Sequence, residues 1–186
     1  MPFLKSLTDR ANPGHVFQTY PDVYGPWSEM SQAMMNGPSP LTQGEREMIL
    51  AYAAGVAGCE FVYVAHSEVA YAWGIESGLI ELMLEDLNTA PVSDKIRPLM
   101  AFVQKLMAKP TDICQADVDA MMAAGWDEHA VHDSIAITAR AAFMKTLVHG
   151  HGFIPMPREV AARHAQARVE KGYVNLFPKF AKDQKS

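Results

Sequence analysis

Long apolar runs, a cysteine framework and strand-like alternation are all missing from this chain, and each absence removes a class of protein. The longest apolar run, residues 48–58, is far too short to cross a bilayer as a helix. The start Met1-Pro2-Phe3-Leu4-Lys5-Ser6 has no apolar core of the kind a signal peptide needs. Two cysteines in 186 residues do not make a disulfide framework, so a reducing cytoplasm is the expected compartment. No Val/Ile/Thr-rich alternating run bounded by turns occurs, which leaves no candidate strand. Basic charge is scarce as well. Sixteen Lys and Arg stand against 21 Asp and Glu, a net charge of −5, so neither nucleic acid nor a membrane is an expected partner. Lys179, Lys182 and Lys185 fall in a short C-terminal tail read as mobile. No Gly-rich phosphate loop follows a strand and no metal-ligand cluster is complete, so no cofactor is expected.

What the chain does have is helical periodicity. Apolar residues make up 49% and charged residues 20%, the balance of one packed domain spanning residues 1–186. Twelve Met and many Ala suit adaptable helix-on-helix packing. Residues 1–40 read as an arm followed by a helix over 14–36, broken near Pro21 and Pro26. Asn36-Gly37-Pro38-Ser39-Pro40 stops it, and Thr42-Gln43-Gly44-Glu45 is a capping box that opens a helix to about Ala57. Gly58 breaks that helix, and residues 59–73 read as the next, closed by Gly74. A short helix over 76–86 completes the segment 41–86. Over 87–171 the expectations are a helix capped by Ser93 with Pro98 distorting its second turn, and a short helix over 113–124. A long helix follows from Asp127 to about Val148, then a last one starting at Pro157. Residues 172–186 form a tail with Tyr173, Leu176 and Phe177 as apolar anchors.

The chemistry concentrates in one stripe. On a helix over 59–73, Cys59, Val62 and His66 fall at i, i+3 and i+7 and share a face. Cys59 would lie in the first turn, where free backbone N–H groups and the helix dipole favour a thiolate. His66 is two turns on, too far for direct contact, and Val62 lies between them. Glu47 comes from the preceding helix, and an antiparallel turn at Gly58 would bring it beside the middle of the stripe. A carboxylate and an imidazole meeting there make a proton relay. Each residue alone has a plainer explanation: a buried small hydrophobe, a hydrogen-bonded helix His, an acid in a helix's first turn. The joint spacing is what lifts the set.

That spacing resembles the alkylhydroperoxidase D (AhpD) and carboxymuconolactone decarboxylase superfamily, in its longer peroxidase-related branch. The likeness covers residues 41–86: Leu-Thr-x-x-Glu-Arg-Glu-Met-Ile, an Ala/Gly-rich run, Gly-Cys-Glu-Phe, His66 and Gly74. It implies an all-α fold and a homo-oligomer, a dimer, trimer or hexamer. It implies peroxide reduction by a Cys-x-x-Cys pair, with Glu47 and His66 as the relay and Cys59 as the resolving thiol. Val62 occupies the attacking position, so an intrachain Cys-x-x-Cys cycle is impossible. The leading reading is therefore an antioxidant, peroxiredoxin-like oxidoreductase with a degenerate site, working at Cys59 with help from His66 and Glu47. A thiol reductant would then be a partner, because a lone Cys59 needs an external thiol to resolve its sulfenic acid. The alternative is a non-redox, decarboxylase-like enzyme using His66 and Glu47 on a small organic acid or lactone. A third is a catalytically silent binding protein.

Other features read as structural. Cys114 follows Asp112 at a helix start, with nothing to place it near Cys59. His129 and His132 with Asp133 lack a third ligand nearby. His149 and His151 either cap a helix or line a pocket entrance. Phe61, Tyr63, Tyr71 and Trp73 are core or interface candidates that would wall a dry pocket, and Arg140 in an apolar helix reads as an ion-pair partner.

Overall fold

A computed structural model describes residues 2–177, so Lys179, Lys182 and Lys185 lie outside the described residues. Among these there are nine α-helices and no strand: α1 (Pro13–Thr19), α2 (Pro21–Asn36), α3 (Gln43–Val56), α4 (Glu60–Ala72), α5 (Leu79–Asp86), α6 (Ile96–Ala108), α7 (Gln115–Ala123), α8 (Glu128–His151) and α9 (Arg158–Lys171). A single 3-10 turn, Pro110–Asp112, links α6 to α7. None of these helices is long and apolar enough to cross a membrane.

The centre of the molecule is α3. Every residue from Arg46 through Ala54 is buried, so this helix meets neighbours on all sides rather than along one stripe. The Thr42 capping box starts it: the Thr42 hydroxyl accepts from the Glu45 N–H at 3.2 Å, and Glu45 Oε2 accepts from the Thr42 N–H at 2.7 Å. Gly58, at φ +67°, then reverses the chain. α4 folds back along α3, while α8 and α6 cover other sides of α3. Small residues on α3 allow close approach. A Cβ on Gly55 would lie 2.5 Å from Leu84 Cδ1 on α5. Met48, Ile49, Leu50 and Tyr52 of α3 pack with Leu99, Phe102 and Val103 of α6 and Ile137 of α8 in the main core. A second apolar cluster joins Val16 and Phe17 of α1 to Cys59, Phe61 and Val62 of α4 and Met144 and Val148 of α8.

Several boundaries differ from the sequence expectation for identifiable reasons. The break before α2 falls at Tyr20, with Pro21 as the first helical residue, but Pro26 sits inside α2 without ending it. α5 begins at Leu79 rather than 76, behind Gly78 in a left-handed conformation. Lys95, not Ser93, holds the N-cap position of α6, and the Ser93 hydroxyl accepts from the Ile96 N–H at 3.3 Å. Pro98 is the third residue of α6, in the first turn, where its missing N–H breaks no helical bond. α8 runs past Val148 through His149 and His151 and ends where Gly152 turns left-handed at φ +69°. The arm is pinned to that end: the Phe3 N–H donates to the His151 carbonyl at 3.0 Å.

Candidate active site

The α3–α4 hairpin brings Glu47 and His66 together, as the antiparallel arrangement required. His66 Nδ1 lies 2.7 Å from Glu47 Oε2, with the two side chains 7% and 2% exposed. The other carboxylate oxygen, Oε1, accepts from the Tyr173 hydroxyl at 2.5 Å. Tyr173 comes from the segment after α9, and its ring lies nearly parallel to the His66 imidazole, with centroids 6.5 Å apart. Both carboxylate oxygens are therefore occupied, and the Glu47 side chain is shielded from bulk water.

Protonation follows from these contacts. Burial raises the Glu47 carboxyl, but the attraction of His66 and the hydrogen bonds from His66 and Tyr173 outweigh it and hold it below its ordinary value. Burial pushes His66 the other way, down to about 4 against the pull of Glu47, with the Arg140 and Arg168 charges adding to the fall. Burial, with the Glu47 charge beside it, also raises the Tyr173 phenol. At neutral pH the site thus holds an ionised Glu47, a neutral His66 and a protonated Tyr173. With Oε2 ionised, the bonded proton belongs to His66 Nδ1, and Nε2 presents its lone pair. Nε2 has no partner among the described residues.

The His66 ring lines a cavity of about 290 Å³. Phe17, Trp27, Phe61, Val62, Met144 and Leu176 supply apolar wall, and Ser28, Arg140, His164, Arg168 and Tyr173 bring polar atoms. The wall draws on α1, α2, α4, α8, α9 and the segment after it. His66 and Val62 face this space, as their shared helical face predicts. Cys59 does not: it is the N-cap residue of α4, wholly buried in the second apolar cluster, and outside the cavity wall. The thiolate expected from the helix terminus is corrected accordingly. Burial raises the Cys59 thiol, and the Val62 and Phe61 amides and the Lys145 charge do not cancel that. Cys114 is a free, exposed thiol at the N-cap of α7.

Arg140 departs from its expected role. It is buried on α8, yet no carboxylate pairs with it among the described residues. Its Nε donates to Ser31 Oγ at 3.3 Å, and its guanidinium lies 5.1 Å from the Trp27 ring centroid and 4.7 Å from that of Tyr173. A buried Arg in an apolar helix was the visible signal, but its purpose depends on residues remote in sequence. Arg168 gave no such signal, and Tyr173 was legible only as an apolar anchor of the tail. Of the four aromatics near the stripe, Phe61 joins the cavity. Tyr63 and Tyr71 instead share Glu81, which Arg158 Nη2 also meets at 2.5 Å. Arg158 Nη1 reaches Glu68 at 2.9 Å, so this network fastens the start of α9 to α4 and α5. His151 Nδ1 bonds the Leu147 carbonyl at 2.8 Å, and His129 pairs with Asp133 at 3.5 Å.

Known structures share this architecture. One is an uncharacterized peroxidase-related protein from Ralstonia eutropha, described as an alkylhydroperoxidase AhpD core. It superposes with a TM-score of 0.70 at 22% identity, over 76% of this chain and 74% of that one. Another is an uncharacterized peroxidase-related protein from a Silicibacter species, with a TM-score of 0.69 at 21% identity, over 76% and 75%. The chain therefore has an AhpD-like all-α fold, in line with the resemblance seen over residues 41–86. No protein-family model and no curated protein matches it.

Proposed function

We propose that this protein is a non-redox acid–base enzyme that moves a proton to or from a small organic molecule held in the cavity. One observation carries the reading. His66, a buried imidazole oriented by Glu47 through Nδ1, reaches the cavity, while Cys59 lies outside the wall and the other imidazole of the wall, His164, is exposed. Nε2 takes a proton from the substrate. The resulting imidazolium is balanced by Glu47 at 2.7 Å, and the same proton returns to the product. Tyr173, donating to Oε1, keeps Glu47 ionised and in register, which makes it a positioning residue. A lactone or an organic acid with an acidic C–H suits such a pair.

A second reading keeps sulfur chemistry at Cys59. It is favoured by the peroxidase-related description of the proteins that share the fold, and by the position of Cys59 at a helix start. There the Cys59 thiolate would cleave a hydroperoxide O–O bond, giving a sulfenic acid and an alcohol, and two equivalents of an external thiol would restore it. Its burial and raised thiol weigh against it.

The test is solvent-deuterium exchange and turnover across a panel of lactones, β-keto acids and unsaturated acids, alongside hydroperoxide consumption with a dithiol. Expected is activity on members of the first panel that is lost in His66→Ala, falls on the order of a hundredfold or more in Glu47→Gln, and survives Cys59→Ser. Hydroperoxide consumption that disappears with Cys59→Ser and survives His66→Ala would replace this reading with the second.

A further inference from the structure

We infer that Arg140 and Arg168 form an anion-binding subsite in the cavity beside His66, built for the carboxylate of a small organic monoanion with an apolar body. The inference rests on the acid–base reading only for what happens to the ligand; the binding site stands on the two guanidiniums.

Arg140 is the first argument. It is 5% exposed, it lines the cavity, and its Nη1 is buried with no hydrogen-bond partner among the described residues. A guanidinium taken out of water without a carboxylate is costly, and such a donor calls for a partner, a water or a ligand. Arg168, half-buried on α9, lines the same cavity. Its guanidinium lies 4.6 Å from the Tyr173 ring centroid, against 4.7 Å for Arg140. Two cations 28 residues apart in sequence, from α8 and α9, thus converge on one phenol ring, and no carboxylate pairs with either among the described residues.

The charges set the valence of the ligand. Arg140 and Arg168 contribute two positive charges, ionised Glu47 one negative charge, and His66 none. Among these buried and half-buried groups one positive charge is left, beside the exposed His164 of the same wall, the complement of a monoanion. The planar fork of a guanidinium matches a carboxylate better than a spherical anion. Phe17, Trp27 and Met144 offer an apolar wall for the rest of the molecule, and 290 Å³ is at the small end of ligand sites. A benzoate-sized acid meets these requirements; a phosphate dianion overshoots the charge and leaves the apolar wall empty.

Binding at this subsite also tunes the base. Both arginines hold the basicity of His66 down, so an anion resting on them removes part of that field and makes Nε2 a better proton acceptor when a ligand is present. An uncharged analogue would not do so.

The experiment uses the full chain with benzoate, its neutral analogue benzamide, and inorganic phosphate as probes. Binding is followed by calorimetry and by Trp27 fluorescence, and His66 by NMR titration. Benzoate is expected to bind at least about tenfold more tightly than benzamide or phosphate, to lose about tenfold or more in Arg168→Gln, and to lose all measurable binding in Arg140→Met. Arg140→Met should fold with an unchanged or higher Tm, since it removes an unpaired buried charge. Arg168→Gln, at a half-buried position, decides the matter should Arg140→Met fail to fold. The His66 pKa should rise with benzoate and stay put with benzamide. Equal binding of benzoate and benzamide, equal binding of phosphate, or benzoate binding indifferent to Arg168→Gln would each overturn the subsite. His66→Gln should still bind benzoate. Turnover lost with binding intact concerns the proton chemistry, whereas binding lost in the arginine variants alone concerns the subsite.

Discussion

The Tyr173 hydroxyl donates to Glu47 Oε1 at 2.5 Å across 126 residues of sequence, tying the segment after α9 to the second turn of α3. Replacing it with Phe leaves an ionised oxygen buried without its donor. Tyr173→Phe is expected to lower stability by about 1–3 kcal/mol in urea unfolding and to raise the Glu47 pKa. A variant as stable as the parent would mean that water replaces the phenol at Oε1.

His66 makes stability depend on pH in a defined window. Its folded pKa, about 4, lies below the unfolded value of 6.5, so between these limits the unfolded chain binds the extra proton. The contribution is fully present above pH 6.5 and is lost as pH falls toward 4, up to about 3 kcal/mol. Glu47, whose folded pKa is also depressed, adds a further loss below its unfolded value. Urea melts at half-unit steps from pH 7 to 4 should show the fall, and His66→Gln should flatten it above the carboxylate range. A flat parent curve would show that the imidazole titrates normally and is not held neutral by burial.

What could be read from the sequence is what local spacing controls. Cys59, Val62 and His66 share a helix, so their relative placement needed only the 3.6-residue period, and the Gly58 turn was enough to set Glu47 against His66. The Thr42 cap and the Asp127 start of α8 were visible for the same reason. Arg140, Arg168, Trp27 and Tyr173 come from four separate parts of the chain, and their meeting depends on how α2, α8 and α9 pack. Spacing also says nothing about which edge of the stripe turns inward. Cys59 caps α4 against Val16, Phe17 and Val148, and that packing, not the helix terminus, sets the character of its thiol.

The two thiols should report this burial directly. Cys114 is exposed and Cys59 is wholly buried, so a maleimide should modify Cys114 quickly and Cys59 slower by on the order of a hundredfold or more. Mass spectrometry of the intact chain and its peptides separates the two. Comparable rates would require frequent opening around the start of α4, and would return Cys59 to consideration as a reactive group.

Val62 offers the sharpest test of what the fold retains. It lines the cavity between Cys59 and His66, so Val62→Cys sets a thiol in the cavity wall one turn from Cys59. The loss of volume is small, with an expected cost of about 1 kcal/mol. Cβ atoms three residues apart on a helix are about 5–6 Å apart, wider than a disulfide allows. Cys59, however, sits at the N-cap with non-helical backbone (φ −97°, ψ 82°), which gives closure some freedom. With hydroperoxide, the introduced thiol would form a sulfenic acid and release an alcohol, and Cys59 would then condense with it, expelling water. The expected product is an intrachain disulfide, two hydrogens lighter, formed faster than a free thiol is oxidised and slowed by His66→Ala. Adding Cys59→Ser should stop the reaction at the sulfenic acid. Oxidation no faster than that of a free thiol would mean that the Glu47–His66 pair cannot activate sulfur at this wall.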